Sequence, residues 1–83
     1  MIFSPIEPGM RSPVCSHAQR TFQDLSPYLD GIEPGPVNGL HLGPSVRNVQ
    51  WFQRMLGQVQ NGVLDEALMQ RLSALQRLVR GNG

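Results

Sequence analysis

Few side chains of this 83-residue chain could carry bond-making chemistry: Cys15, His17, His41 and six acids, Glu7, Asp24, Asp30, Glu33, Asp65 and Glu66. A local histidine metal motif needs two rings about one helical turn apart. His17 and His41 lie much farther apart than that. A single cysteine closes no internal disulfide and leaves no cysteine-based zinc site, so Cys15 reads as a small interior thiol. Two of the acids could pair across a fold as glycosidase carboxylates do, but their dispersed spacing does not propose it. Asp65 and Glu66 are better explained as a helix start. The sequence holds no serine-centred nucleophile elbow and no phosphate-binding glycine loop. The expectation is a chain that is not an enzyme, with no catalytic residue, no metal and no cofactor.

What remains is recognition. Trp51 precedes Phe52, and neighbours on a helix cannot both face one core line. Met55, four residues after Trp51, shares its face. Two readings are open for this pair: residues 1–11 cover it, or it forms a partner-binding patch. His41 is the better functional candidate of the two histidines, as a stacking or hydrogen-bonding group. Gln50, Gln53, Gln58, Gln60, Gln70 and Gln76 could hydrogen-bond sugars or solvate helix faces, and taken singly the second is the plainer reading.

The elements that must position these residues are three helices. Residues 1–11 carry prolines and a glycine among scattered apolar residues, Ile2, Phe3 and Ile6, without a period, and read as an extended arm. The arm either lies on the domain's own surface or docks on a partner. Ser12-Pro13 is a good helix start, and Val14, Ala18, Phe22 and Leu25 form one apolar face that ends at Ser26-Pro27. Residues 28–37 are turn-rich. A second helix is expected from Pro44-Ser45 to about Leu56, with Val49, Phe52 and Leu56 inward and Gly57 as its left-handed stop. A third starts at Asp65 and continues through Leu68, Leu72, Leu75 and Val79, with Arg77 and Arg80 in its last turn. Gly81-Asn82-Gly83 stops it. Two Asn-Gly turns, Asn38-Gly39 and Asn61-Gly62, bracket the middle helix. The fold class is all-α, a three-helix domain over residues 12–80 with turn-rich loops, an extended N-terminal arm (1–11) and a short tail (81–83).

Net charge is +1, which gives no electrostatic footprint for nucleic acid or an anionic membrane. No helix clusters arginines at groove-reading positions. No apolar run approaches the roughly 18 residues of a membrane span. The first ten residues lack the basic n-region and unbroken apolar h-region of a signal peptide.

Residues 38–72 resemble the three-helix peptidoglycan-binding domain, whose pattern runs D-G-x-(aromatic)-G-x-x-T-x-x-A-V-x-x-F-Q and then G-x-x-V-D-G-x-x-G-x-x-T-W-x-x-L. Asn38 and Gly39 stand at the first Asp-Gly, Ser45 at the Thr, Val49 at the Val and Phe52-Gln53 at the Phe-Gln. Asn61, Gly62, Val63 and Leu72 match the second turn. Pro34-Gly35-Pro36-Val37 resembles the lead-in, and Ala18-Gln19 with Phe22 resembles the first helix. His41 replaces the first-turn aromatic and Leu42 the glycine after it. Asp65, Leu68 and Met69 replace the second-turn Gly, Thr and Trp. The resemblance implies a non-catalytic module that attaches to cell-wall glycan and peptide, touched by Asn38, Gly39, Leu40, His41 and Ser45. The alternative is a bacteriophage virion structural protein, a decoration or minor capsid protein that uses the same fold for protein contacts. In that reading Ile2, Phe3, Ile6, Trp51 and Met55 meet neighbouring capsid subunits. The expected partners are therefore peptidoglycan or virion subunits, with no nucleic acid and no membrane. The expected location is a virion or, before release, the cytoplasm.

Overall fold

The computed structural model describes residues 3–81, so Ile2 and the end of the tail, residues 82–83, lie outside the described residues. Three helices make up the fold: α1 (Pro13–Leu25), α2 (Pro44–Met55) and α3 (Glu66–Gly81). Local chemistry sets their ends. The Ser12 hydroxyl accepts from the Val14 amide at 3.1 Å, and Pro13 follows at the first helical position. The Asp65 carboxylate accepts from the Leu68 amide at 2.8 Å and so caps α3. α2 opens with Pro44 but has no side-chain cap, and the chain leaves it through Gly57 at φ +71°.

Helix α1 is the hub. It packs against both α2 and α3, whose Cα traces nowhere come within 8 Å of each other. Phe22 of α1 stacks on Phe52 of α2, with centroids 6.3 Å apart. Around that pair sit Leu25, Val49, Leu68 and Leu72 from the helices and Ile6, Ile32 and Leu64 from the connecting segments. Val14, expected on the inner face of α1, is instead exposed, and Cys15 beside it is fully buried. Val14 lies in the first turn of α1, where the inner line runs through Cys15, Ala18, Phe22 and Leu25.

Two side-chain amides organise the loops. Gln19 of α1 accepts the backbone amides of Asn38 and Gly39, each at 2.9 Å, while its Nε2 donates to the Leu40 carbonyl at 2.9 Å and to Asn38 Oδ1 at 3.1 Å. Gln53 of α2 repeats this on the second turn. It accepts from the Gly62 amide at 3.0 Å and donates to Asn61 Oδ1 at 2.8 Å and to the Val63 carbonyl at 3.3 Å. Each asparagine also takes the amide two residues on, Leu40 at 3.0 Å and Val63 at 2.9 Å. The glycines between run at φ +78° and +75°, where a Cβ is strained. At Gly62 that Cβ would also meet Val46 at 2.9 Å. Gln53 is thus a buried turn clamp, not a solvating or sugar-facing residue.

The arm completes the frame. Ile6 and Leu64 exchange two backbone hydrogen bonds of 2.9 Å. Farther along, the Gly9 amide donates to the His41 carbonyl at 2.8 Å, His41 returns a bond to Met10 at 2.9 Å, and Ser12 donates to Gly39 at 2.8 Å. One short segment therefore ties both Asn-Gly turns to the same edge. Ile6 is buried and Phe3 packs against the core, so of the two readings of the arm these residues follow the one that lays it on the domain's own surface and not the partner contact: apolar side chains this close to an open core gain more inside it.

Replacing Gln19 with leucine would strand the buried amide of Gly39 and the part-buried amide of Asn38, an expected loss of about 2–3 kcal/mol. Gln23→Leu, which removes only an exposed bond to the Gly35 carbonyl, should stay within about 0.5 kcal/mol. Urea unfolding with an unchanged m-value measures both; equal effects of the two changes would show that the clamp is not structural.

Candidate functional site

The five residues expected at a glycan site come together at the first turn, but most face inward. His41 is fully buried, Ser45 is buried, and so is Gly39. Both ring nitrogens of His41 are engaged. Nε2 lies 2.7 Å from the Gly62 carbonyl and Nδ1 lies 2.9 Å from Ser45 Oγ. A carbonyl only accepts, so Nε2 carries the proton; in the neutral ring Nδ1 then accepts the single Ser45 hydroxyl proton at 2.9 Å, in competition with the Leu42 carbonyl 3.3 Å from the same oxygen. His41 is therefore a neutral brace between the two turns: of the two roles expected for it, stacking on a ligand is corrected by its burial, and its hydrogen bonds are spent inside the fold. Asn38 is exposed, yet its Oδ1 is occupied by Leu40 and Gln19. Leu40 is half-buried, with its carbonyl held by Gln19.

Burial lowers the pKa of His41, opposed by its hydrogen bond to the Gly62 carbonyl. Burial likewise pushes the Cys15 thiol up, opposed by the neighbouring Ser45 hydroxyl. The thiol stays protonated and enclosed, which makes it a poor nucleophile. Among the described residues no group of three or more His, Cys, Asp and Glu side chains gathers at one place. No helix among them is long and apolar enough to cross a membrane.

The open surface lies around Trp51. The described part of the arm, residues 3–11, does not cover this pair: Met55 is 63% exposed, and none of those residues lines either hollow beside the indole. Asn48 of α2 fixes the loop under Trp51, donating to the Glu33 carbonyl and accepting the Glu33 amide, both at 2.9 Å. This draws Ile32 into the core and sets Gly31 directly against the Trp51 ring, where any Cβ would collide with the indole. Phe52 supports the ring edge-on, with centroids 5.0 Å apart at 90°. The indole is thereby positioned from two sides and still half-exposed.

Two hollows flank it. On one side is a polar cleft of about 190 Å³ lined by Gly31, Arg47, Gln50, Trp51, Arg54 and Gln60. Arg47 is held there by a two-pronged ion pair with Glu33, its Nη2 3.0 Å from Oε1 and its Nε also on the carboxylate. The guanidinium keeps the Glu33 carboxyl below its ordinary pKa. Arg54 pairs with no acid among the described residues. On the other side is an apolar groove of about 360 Å³, walled by Leu29, Trp51, Met55, Leu56 and Leu75 with Arg71 at its edge. The pairing of Trp51 with Met55 is legible from helical spacing. Gly31, Leu29 and Leu75 are joined to them only by the tertiary fold; helical spacing marks Leu75 as apolar-face but not as a neighbour of Trp51.

The neutral, enclosed His41 has a consequence for stability. Its folded-state pKa lies below the ordinary value near about 6.5, so protons bind the unfolded chain first as pH falls. The stability associated with it is complete above about pH 6.5 and is lost as pH drops below that. The urea midpoint should fall between about pH 7.5 and about pH 5.5 in the wild type and change less in His41→Gln. A midpoint that is level in the wild type would exclude the neutral-brace assignment.

Comparison with protein-family models, with curated proteins and with solved structures returns no match for this chain.

Proposed function

We propose that this chain is a non-catalytic binding module that attaches to the glycan and peptide of the bacterial cell wall, using the polar cleft beside Trp51 and not the first turn. The cleft carries this reading. It sets a half-exposed indole beside Arg47, Arg54, Gln50 and Gln60. A flat aromatic face suits the C–H face of a sugar ring. Side-chain amides suit N-acetyl and peptide groups, and the Arg54 guanidinium, which Glu33 does not occupy as it does Arg47, suits the carboxylates of a stem peptide. The residues that carry the resemblance are consistent with it: Gln19, Asn38, Gly39, Gln53, Asn61 and Gly62 make the turns of the fold. An open, polar cleft of this size implies weak binding that holds the module at a surface.

A second reading, a bacteriophage virion structural protein that contacts neighbouring subunits, is favoured by the apolar groove on the far side of Trp51. Exposed apolar grooves of this kind mark protein contacts more than sugar contacts.

Co-sedimentation with purified insoluble sacculi separates the two. Under the wall reading the wild type pellets, while Trp51→Ala and Arg54→Ser each weaken retention by about tenfold. His41→Gln pellets like the wild type, provided circular dichroism shows each variant folded. A wild type that stays in the supernatant sinks the wall reading.

A further inference from the structure

The seam between α2 and α3 is the one helix–helix face of this bundle left unmade, since each packs on α1 and neither reaches the other. The apolar groove fills that seam. Its walls follow helical spacing, Trp51 and Met55 one turn apart on α2 and Arg71 and Leu75 one turn apart on α3. Leu78, the next position on the α3 line, is 62% exposed, so the apolar strip runs on beyond the groove.

We infer that this seam is a docking site for an amphipathic helix of a protein partner, one that carries an acidic side chain next to its apolar anchors. The channel between two splayed helices accepts a third by the same ridge-and-groove fit that packs helices elsewhere. Met55 supplies an adaptable wall. Charge selects the occupant. No carboxylate lines the groove among the described residues, and Arg71 is its charged edge, so an acid on the incoming helix is favoured and a base is opposed.

The same charge argues against a second copy of this chain. Its helices carry Arg20, Arg47, Arg54, Arg71, Arg77 and Arg80 but only two acids, Asp24 and Glu66. Asp24 is already held by Arg80 at 2.9 Å and Gln76 at 2.8 Å. On these helices that leaves Glu66 as the one acid without an arginine partner among the described residues, against six arginines, so a second copy offers Arg71 few acids. The inference goes beyond the wall reading and does not depend on it, because the groove and the polar cleft lie on opposite sides of the indole.

Trp51 is the single tryptophan and walls the groove, so its emission reports occupancy. The probe is a tryptophan-free, end-capped helical peptide with leucines at i, i+3/i+4 and i+7 and a glutamate beside the central leucine. The expected result is a saturable blue shift. Met55→Ser should weaken binding by about tenfold. Arg71→Glu should weaken it by about fivefold, and a peptide with lysine in place of the glutamate should restore binding to that variant. Met55 and Arg71 are exposed, so both variants fold. No shift up to about 1 mM peptide, or equal binding of the glutamate and lysine peptides to the wild type, overturns the inference. A shift that grows with protein concentration alone, with sedimentation showing a dimer, overturns it in favour of a second copy.

Discussion

A primary amide that serves a donor and an acceptor of the same turn is the interaction on which this molecule depends. Gln19 and Gln53 each extend from a helix into an Asn-Gly turn and satisfy backbone groups that would otherwise be buried without partners. A peptide donor sealed from water without a partner costs about 1–3 kcal/mol, and turns with left-handed glycines cannot satisfy their own amides by a helical or sheet ladder. The clamp therefore decides where the following helix starts. Gln19 sets the path into α2 and Gln53 sets the path into α3. Among the described residues every buried side-chain nitrogen and oxygen finds a partner, so the polar interior is complete and not a loose remainder around the Phe22–Phe52 stack.

The two clamps are also a structural repeat. Ala18-Gln19-Arg20-Thr21-Phe22 stands to Asn38-Gly39-Leu40-His41 as Phe52-Gln53-Arg54-Met55-Leu56 stands to Asn61-Gly62-Val63-Leu64. The arm crosses both turns as a common third element and bonds to Leu64 and His41 in succession, and Ser12, which follows it, bonds to Gly39. That is why its apolar residues turn inward. It is the edge that holds two equivalent halves in register, and a segment with this many backbone partners is not free to reach another molecule.

What the sequence made legible follows the range of the physics. Helix starts at Ser12-Pro13 and Asp65 and the stop at Gly57 depend on atoms within a few residues, and each could be read from its own neighbourhood. The all-α class and the inner positions Phe22, Val49, Phe52, Leu68 and Leu72 follow from periodicity over one helix. Ile6, Ile32 and Leu64 are single apolar residues among prolines, glycines and polar groups, so no period announces them as core. The glutamines show the same limit more sharply. Gln50 and Gln53 are chemically identical and three residues apart on one helix, yet one lines a cleft and the other is buried in a turn. Only the position of a loop distant in the chain tells them apart.

His41 shows how this remote dependence shifts the working surface. Its counterpart in the second half is Leu64, which fills the same place with hydrocarbon against Ile6. In the first half the position faces the Gly62 carbonyl across the molecule, and an imidazole there joins the two turns directly. The chain Gln53 to Gly62 to His41 to Ser45 then couples α2 at two points to the turn that precedes it and the turn that follows it. Such a network favours one register over alternatives because a shifted turn would leave several buried groups unpaired at once. It also consumes the hydrogen-bonding capacity that a first-turn site would offer a ligand. The face the network does not reach is the outer flank of α2, where Gly31 makes room for an indole and the missing α2–α3 contact leaves a groove beside it.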